Sequence, residues 1–236
     1  MSTRMSTLQG SVVVVTGAAG DLGRPTVEAL AAAGATVIAA GRDQKRLDEV
    51  VAIAPDRVIA SVVDLLDEPA TIEWGAELVR QHGRVDGLLH LVGGWRGGKG
   101  IVEGDLADWE FLQANLIRTL QHATRALHES IGRSPHGRMA IVSTTGLDKP
   151  SATNAAYLTA KAGAEMWLRS VAASYKDTDA AAAIVRILAL VTPAMQAEKP
   201  DGYKKFTPVA ELATWMVQLF DRPADEVNGS IETMKP

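Results

Sequence analysis

The chain has 236 residues, 47% hydrophobic and 22% charged, with 21 Gly, 10 Pro and 5% aromatics, the balance of one globular domain. Its 24 Lys and Arg against 28 Asp and Glu give a formal charge of -4, with no basic run to follow a phosphate backbone, so nucleic-acid binding is disfavoured. With no Cys, disulfides, thiolate metal sites and cysteine nucleophiles are removed; no apolar run approaches the roughly 20 residues of a membrane span and no apolar leader opens the chain, so a cytoplasmic location with no membrane partner is expected.

In chain order, short β-branched apolar runs alternate with longer stretches of helical spacing, the pattern of a parallel sheet covered on both faces. Strands are expected at 11–16, 36–40, 58–63, 87–92, 138–144, 182–190 and 229–233. Helices are expected at 22–33, 43–53, 69–81, 106–132, 154–175 and 208–220. No linker, repeat or low-complexity tract interrupts the alternation. The chain reads as a single α/β domain over 1–236, doubly wound, with about seven parallel strands and residues 1–9 as a flexible tail. Gly34, Gly83 and Gly132 stand where helix C-caps are wanted, and Pro69 suits a first helical turn. The stretch 93–104 holds six Gly and is expected as a loop at the sheet's carboxyl edge.

The first strand runs straight into Gly17, Gly20 and Gly23 and then into a helix. Glycine lets backbone amides approach a pyrophosphate closely, and a helix N-terminus adds unpaired N–H groups and a favourable dipole. A plain strand-to-helix turn would look the same. After the second strand come Gly41 and Arg42. An acidic residue there holds ribose hydroxyls, whereas Arg accommodates a 2′-phosphate. NADP(H) is therefore favoured, with NAD(H) left open because Arg42 could be a solvated helix-start residue and Asp43 could take the acidic role.

Thr16, Gly17, Gly20 and Gly23, together with Tyr157 and Lys161, resemble the short-chain dehydrogenase/reductase family over nearly the whole chain. The resemblance implies a Rossmann-type domain. Tyr157-Leu-Thr-Ala-Lys161 matches the family's Tyr-x-x-x-Lys on the helix after the fifth strand. Four residues apart on a helix, the two side chains share a face. A nearby ammonium favours phenolate, so Tyr157 is expected to exchange a proton with a substrate oxygen. The resemblance implies that Lys161 also holds the nicotinamide ribose.

The family's carbonyl-binding Ser falls at Thr144, counted back from Tyr157, with Ser143 serving if the strand end shifts by one. Asn115 looks like the Asn that kinks the long helix and supports a water beside the Lys. Asp64 resembles the acidic residue that accepts from the adenine amino group, although an Asp capping the next turn reads alike. Leu22 and Leu65 are expected beside the cofactor.

Three departures from the family pattern stand out. Asp21 occupies the middle glycine position, where a carboxylate near a pyrophosphate is unfavourable unless it turns away or engages a ribose hydroxyl. The family's Asn-Asn-Ala-Gly reads His90-Leu-Val-Gly93, which keeps Gly93 for the cofactor and makes His90 a core histidine with a backbone partner. The family's Pro-Gly is replaced by residues 191–195, where Thr192 could bond the nicotinamide carboxamide. Trp95 is the candidate substrate wall, although an ordinary packing Trp would read the same.

The expected function is NADP(H)-dependent hydride transfer between nicotinamide and a small-molecule carbonyl or alcohol, with Tyr157 as general acid/base and no metal. The alternatives are a non-catalytic dinucleotide-binding protein and an NAD-linked alcohol dehydrogenase. The resemblance also implies a homodimer or homotetramer packed through the two long helices. Met166, Leu168 and Val171 are the interface candidates, unless that stripe covers the sheet.

Overall fold

A computed structural model describes residues 8–234. Strand β1 (Val12–Thr16) shows why the sheet is buried on both sides. All five residues are buried, and alternate ones serve opposite faces, with Val13 and Val15 in one core and Val12 and Val14 in the other. The remaining strands of the main sheet are β2 (Thr36–Gly41), β3 (Val58–Val62), β4 (Gly87–His90), β5 (Arg138–Thr144), β6 (Ala181–Ile187) and β9 (Ile231–Thr233), in the order β3-β2-β1-β4-β5-β6-β9. Every pair is parallel.

Helices α1 (Gly23–Ala32), α2 (Gln44–Val51) and α8 (Val209–Gln218) cover one face, through Val27, Leu30, Leu47, Leu212 and Met216. Helices α3 (Glu68–His82), α5 (Thr119–Gly132) and α6 (Ala155–Ser174) cover the other, through Leu78, Leu127, Ile131 and Leu168. This is the doubly wound Rossmann-type arrangement. Its ligand crevice lies at the carboxyl edge, where the strand order reverses between β1 and β4. None of the helices among the described residues is long and apolar enough to cross a membrane.

The long helix expected over 106–132 is three segments. Helix α4 (Leu106–Leu112) opens into a π-helical stretch, Gln113–Arg118, before α5. Two side chains satisfy carbonyls around the widened turns. Asn115 Nδ2 donates to Phe111 O at 2.8 Å, and Thr119 Oγ1 donates to Asn115 O at 2.6 Å.

Other boundaries shift. Strand β4 stops at His90, although Leu91 N still donates to Thr16 O. The expected 182–190 strand ends at Ile187, and Leu190–Val191 (β7) pairs instead with Thr207–Pro208 (β8). Thr192 and Pro193 then start a short helix, α7 (Pro193–Glu198), and α9 (Ala224–Val227) precedes β9.

Gly34 and Gly83 adopt φ of 99° and 79° at helix ends. Gly132, by contrast, closes α5 without a positive φ, and a Cβ there would meet the Tyr175 ring at 3.1 Å, so packing holds it small. Residues 1–7 of the expected tail lie outside the described residues, while Leu8 is buried and its N–H donates to Ala33 O. Leu168 and Val171 are buried under the sheet, while Met166 is exposed. At the amino edge, the buried Arg138 guanidinium donates to the carbonyls of Gly137, Asp179, Leu219 and Arg222, tying the start of β5 to the turn before β6 and to the segment after α8.

Candidate active site

A cleft of about 1120 Å³ opens at the carboxyl edge. Gly17, Gly20, Asp21, Leu22, Gly23, Arg42, Asp64, Leu65, Gly93, Trp95, Asn115, Ser143, Tyr157 and Lys161 all line it. Residues far apart in sequence meet here because β1, β4 and β5 end side by side and α6 crosses over them.

At one end is the glycine turn. Gly17 has a φ of 73°, and a Cβ on it would meet Leu91 backbone atoms at 2.9 Å; one on Gly23 would lie 2.3 Å from Gly17 O. These two glycines are demanded by the fold. Gly93 is different, since a Cβ there would have Leu91 O at 3.9 Å as its nearest neighbour and would project into open space along the cleft. Among the described residues no side chain caps α1, and its first turn carries no acidic residue; although Arg24 N donates to Gly20 O and Thr26 N to Leu22 O and Pro25 has no N–H, the positive end of the helix is left for an anion. The Asp21 side chain is exposed at the rim.

Beyond β2 stand two arginines. Arg42 is exposed and its guanidinium has no partner among the described residues. Arg46, which the sequence reading missed, lines the same cleft and donates to Ala19 O at 2.7 Å. Its signal was a basic side chain in the first turn of the helix after β2. Asp43 is the N-cap of α2, accepting from Arg46 N at 3.1 Å. Asp64 caps the following turn by accepting from Leu66 N at 3.0 Å and also lines the cleft.

At the other end, Lys161 Nζ donates to Val142 O at 2.8 Å and lies 5.8 Å from the centre of the Tyr157 ring. Burial pulls Lys161 down to about 8, opposed by the charge of Glu165. Burial also pushes the Tyr157 hydroxyl up, contrary to the expectation that the ammonium would dominate and favour phenolate.

Strand alternation separates the two hydroxyl candidates. Ser143 Oγ is buried on the cleft wall and has no hydrogen-bond partner among the described residues. Thr144 is not among the lining residues, and its hydroxyl accepts from Gly146 N at 3.1 Å. Thr192 also falls outside the cleft lining and caps α7 by accepting from Met195 N at 3.3 Å. The wall there is Ile187, Leu188, Ala189 and Leu190. Among the described residues His90 has no backbone partner of the kind expected. Its ring lies between two hydroxyls, Thr16 Oγ1 at 2.8 Å and Thr119 Oγ1 at 3.2 Å. Trp95 is exposed, with Nε1 donating to Asn154 Oδ1 at 3.1 Å.

These features fit a nicotinamide dinucleotide. The uncapped helix would hold its pyrophosphate, Arg42 and Arg46 its adenosine end, the space at Gly93 would allow a close approach, and the Ser143 hydroxyl would stand at the reacting end.

Comparison with known proteins gives a consistent picture. Residues 11–203 match the family model described as short chain dehydrogenase. The chain is 31% identical over 149 residues to an uncharacterized oxidoreductase of Staphylococcus saprophyticus, covering 61% of this chain and 63% of that protein. The chain spans less than two thirds of the length of the first curated relatives it matches. Among solved structures, an NADPH-bound short chain oxidoreductase from Pseudomonas aeruginosa with an atypical catalytic center superposes with a TM-score of 0.85 at 21% identity, covering 97% of this chain and 96% of that one. An NAD+-bound xylitol dehydrogenase superposes with a TM-score of 0.82 at 17% identity, covering 97% and 98%. At these identities the structural likeness speaks to the fold.

Proposed function

The chain belongs to the short-chain dehydrogenase/reductase family, and on that footing we propose that it is an NAD(P)-dependent oxidoreductase that reduces a small carbonyl compound, or oxidises the corresponding alcohol, with NADP(H) and with Tyr157 as the proton carrier. The observation that carries this reading is the partnerless Ser143 hydroxyl on the same cleft wall as Tyr157 and Lys161. A buried hydroxyl without a partner costs stability, and a substrate oxygen would supply one.

When bound, the nicotinamide supplies or accepts the hydride. The protons belong to the chain. In the reducing direction Ser143 Oγ and Tyr157 Oη both donate to the substrate oxygen, polarising the carbonyl, and Tyr157 gives up its proton as negative charge develops. Since burial holds the phenol protonated in the free protein, Tyr157 is ready as an acid. Lys161, titrating near 8, is mostly cationic at neutral pH, so it offsets the phenolate charge and returns a proton, with Asn115, which lines the same cleft, as the link to solvent.

NADP(H) is supported over NAD(H) by two arginines at the adenosine end and by the use of the Asp43 carboxylate as a helix cap. A cytoplasmic setting and association into a dimer or tetramer belong to the same reading, with Met166 rather than Leu168 or Val171 available to a partner.

The test combines titration with NADPH and NADH, followed by tryptophan and nicotinamide fluorescence, with a carbonyl screen on the wild type and Tyr157→Phe. Tight NADPH binding by both proteins, with turnover lost by about 10²- to 10⁴-fold in the variant, supports the reading. Turnover that survives in Tyr157→Phe removes it.

A further inference from the structure

We propose that His90 is a positioning residue that holds the main-chain carbonyl of Asn115, through the Thr119 hydroxyl, at the far end of the proton path serving Lys161 and Tyr157. The proposal rests on the roles assigned above to Tyr157, Lys161 and Asn115.

His90 ends β4 directly beside Thr16 at the end of β1, to which it is paired in register. Thr119 starts α5, immediately after the π-helical stretch that contains Asn115. All three side chains are buried, and His90, Asn115, Thr119 and Lys161 share the cleft wall.

The hydrogen bonds run in one direction. Thr119 Oγ1 donates its only proton to Asn115 O at 2.6 Å, so at 3.2 Å it can only accept from His90, which places the ring proton on Nε2. Nδ1 is then bare and accepts from Thr16 Oγ1 at 2.8 Å. Three donors in series point from the β1 strand to the Asn115 carbonyl, and each bond polarises the next. The ring is also held neutral. Burial, with the Lys161 charge adding to it, depresses His90 to about 3.

A Leu or Phe at this position would fill the same space but leave the Thr16 hydroxyl and the Thr119 lone pair unpaired. The flat ring, with one acceptor and one donor on opposite edges, joins a strand end to a helix turn. The consequence is that the Asn115 carbonyl is fixed against the sheet as well as by its own helix. A widened helical turn alone would leave it free to drift, and a displacement of about 1 Å in a catalytic array costs on the order of 10²-fold in rate.

The test uses the full chain carrying ¹⁵N-labelled histidine, with Thr119→Val, Thr119→Ser and His90→Phe as variants. Ring nitrogen shifts should report a neutral, Nε2-protonated His90 from pH 5 to pH 8, and Thr119→Val should move the Nε2 signal. With NADPH and a carbonyl substrate turned over by the wild type, Thr119→Val and His90→Phe should each lower kcat about tenfold. KM and the NADPH Kd should stay within about twofold, and Thr119→Ser should restore kcat. The double variant should be no worse than either single one, as expected of residues acting in one chain. An Nδ1-protonated or charged ring at pH 6 overturns the proposal, as does wild-type kcat in a folded Thr119→Val protein. The two readings fail separately: an active Tyr157→Phe protein sinks the catalytic assignment, whereas an inactive one beside fully active Thr119→Val and His90→Phe proteins sinks only the role of His90.

Discussion

Arg186 grips Glu165 with two parallel hydrogen bonds, Nε to Oε1 at 2.8 Å and Nη2 to Oε2 at 2.6 Å, one helical turn beyond Lys161. Arg186 also reaches Asp148 Oδ1 at 2.9 Å, in the segment that follows β5. The pair therefore adjusts the charge felt by Lys161. Glu165→Gln removes the attraction that opposes burial, so Lys161 should titrate below 8; Arg186→Met leaves Glu165 uncompensated, so it should titrate above 8. If loss of the Lys161 proton sets the alkaline limb of carbonyl reduction, that limb should move in opposite directions in the two variants. Arg186→Met should also cost about 3 kcal/mol of stability, because it strands a buried carboxylate. Rate profiles from pH 6 to pH 10, with urea unfolding beside them, measure both effects.

The two neighbouring hydroxyls of β5 should separate cleanly. Ser143→Ala is expected to lower kcat by about 10²-fold with little change in melting temperature, since its Oγ has no partner to lose. Thr144→Val removes the acceptor for Gly146 N and should cost about 1 kcal/mol in stability, with a smaller effect on kcat. Reversal of this order would return the carbonyl-binding role to Thr144.

At the adenosine end, Arg42→Ala should weaken NADPH binding about tenfold, the worth of one charge-assisted hydrogen bond, while NADH binding stays within about twofold. Arg46→Ala should act in the same direction. Asp43→Ala should cost about 1 kcal/mol through the lost helix cap and leave the preference between cofactors unchanged. Fluorescence titration with both cofactors reads all three variants.

The glycines divide by purpose. Gly93→Ala should fold normally and bind cofactor poorly, because its Cβ would enter open space by the cleft. Gly23→Ala should fail to fold stably, because its Cβ would sit 2.3 Å from Gly17 O. Thermal melting and cofactor titration of the pair distinguish the two effects.

Acid should destabilise the fold through His90. The unfolded ring takes up a proton near 6.5, whereas the folded one resists until about 3. Between these values the unfolded state binds more protons, so stability falls as pH falls. The expected loss is about 3 kcal/mol between pH 7 and pH 4, and it should largely disappear in His90→Phe. Urea unfolding across that range provides the check.

Much of the sheet was legible because parallel strands buried on both faces read as continuous apolar runs, as Val12 to Val15 do. Tyr157 and Lys161 were legible because one helical turn fixes their relation. What stayed hidden depends on direction and distance. The choice between Ser143 and Thr144 turns on which face of β5 each occupies at the strand's last residues, and sequence spacing alone cannot supply that. The π-helical stretch falls where the resemblance implied a kink at Asn115, but its extent over Gln113–Arg118 left no mark in the helical spacing. The partners of His90 lie 74 and 29 residues away in the chain, so its local apolar setting suggested an ordinary core residue. The short helix after Thr192 could have been found from a Thr-Pro pair, which is a cap followed by a favoured first helical residue.

Arg138 and the glycine-rich stretch 93–104 sit at opposite edges of the sheet, at the start of β5 and beyond the end of its neighbour β4, and the contrast sets where the protein can vary. Four carbonyls gathered on one guanidinium make the amino edge a closed base, whose amides should exchange with solvent only when the whole domain opens. The mouth, exposed and irregular, should exchange far faster. Residues that choose a substrate can therefore be altered with little loss of folding free energy, and new specificities are within reach of this chain by changes at the mouth alone.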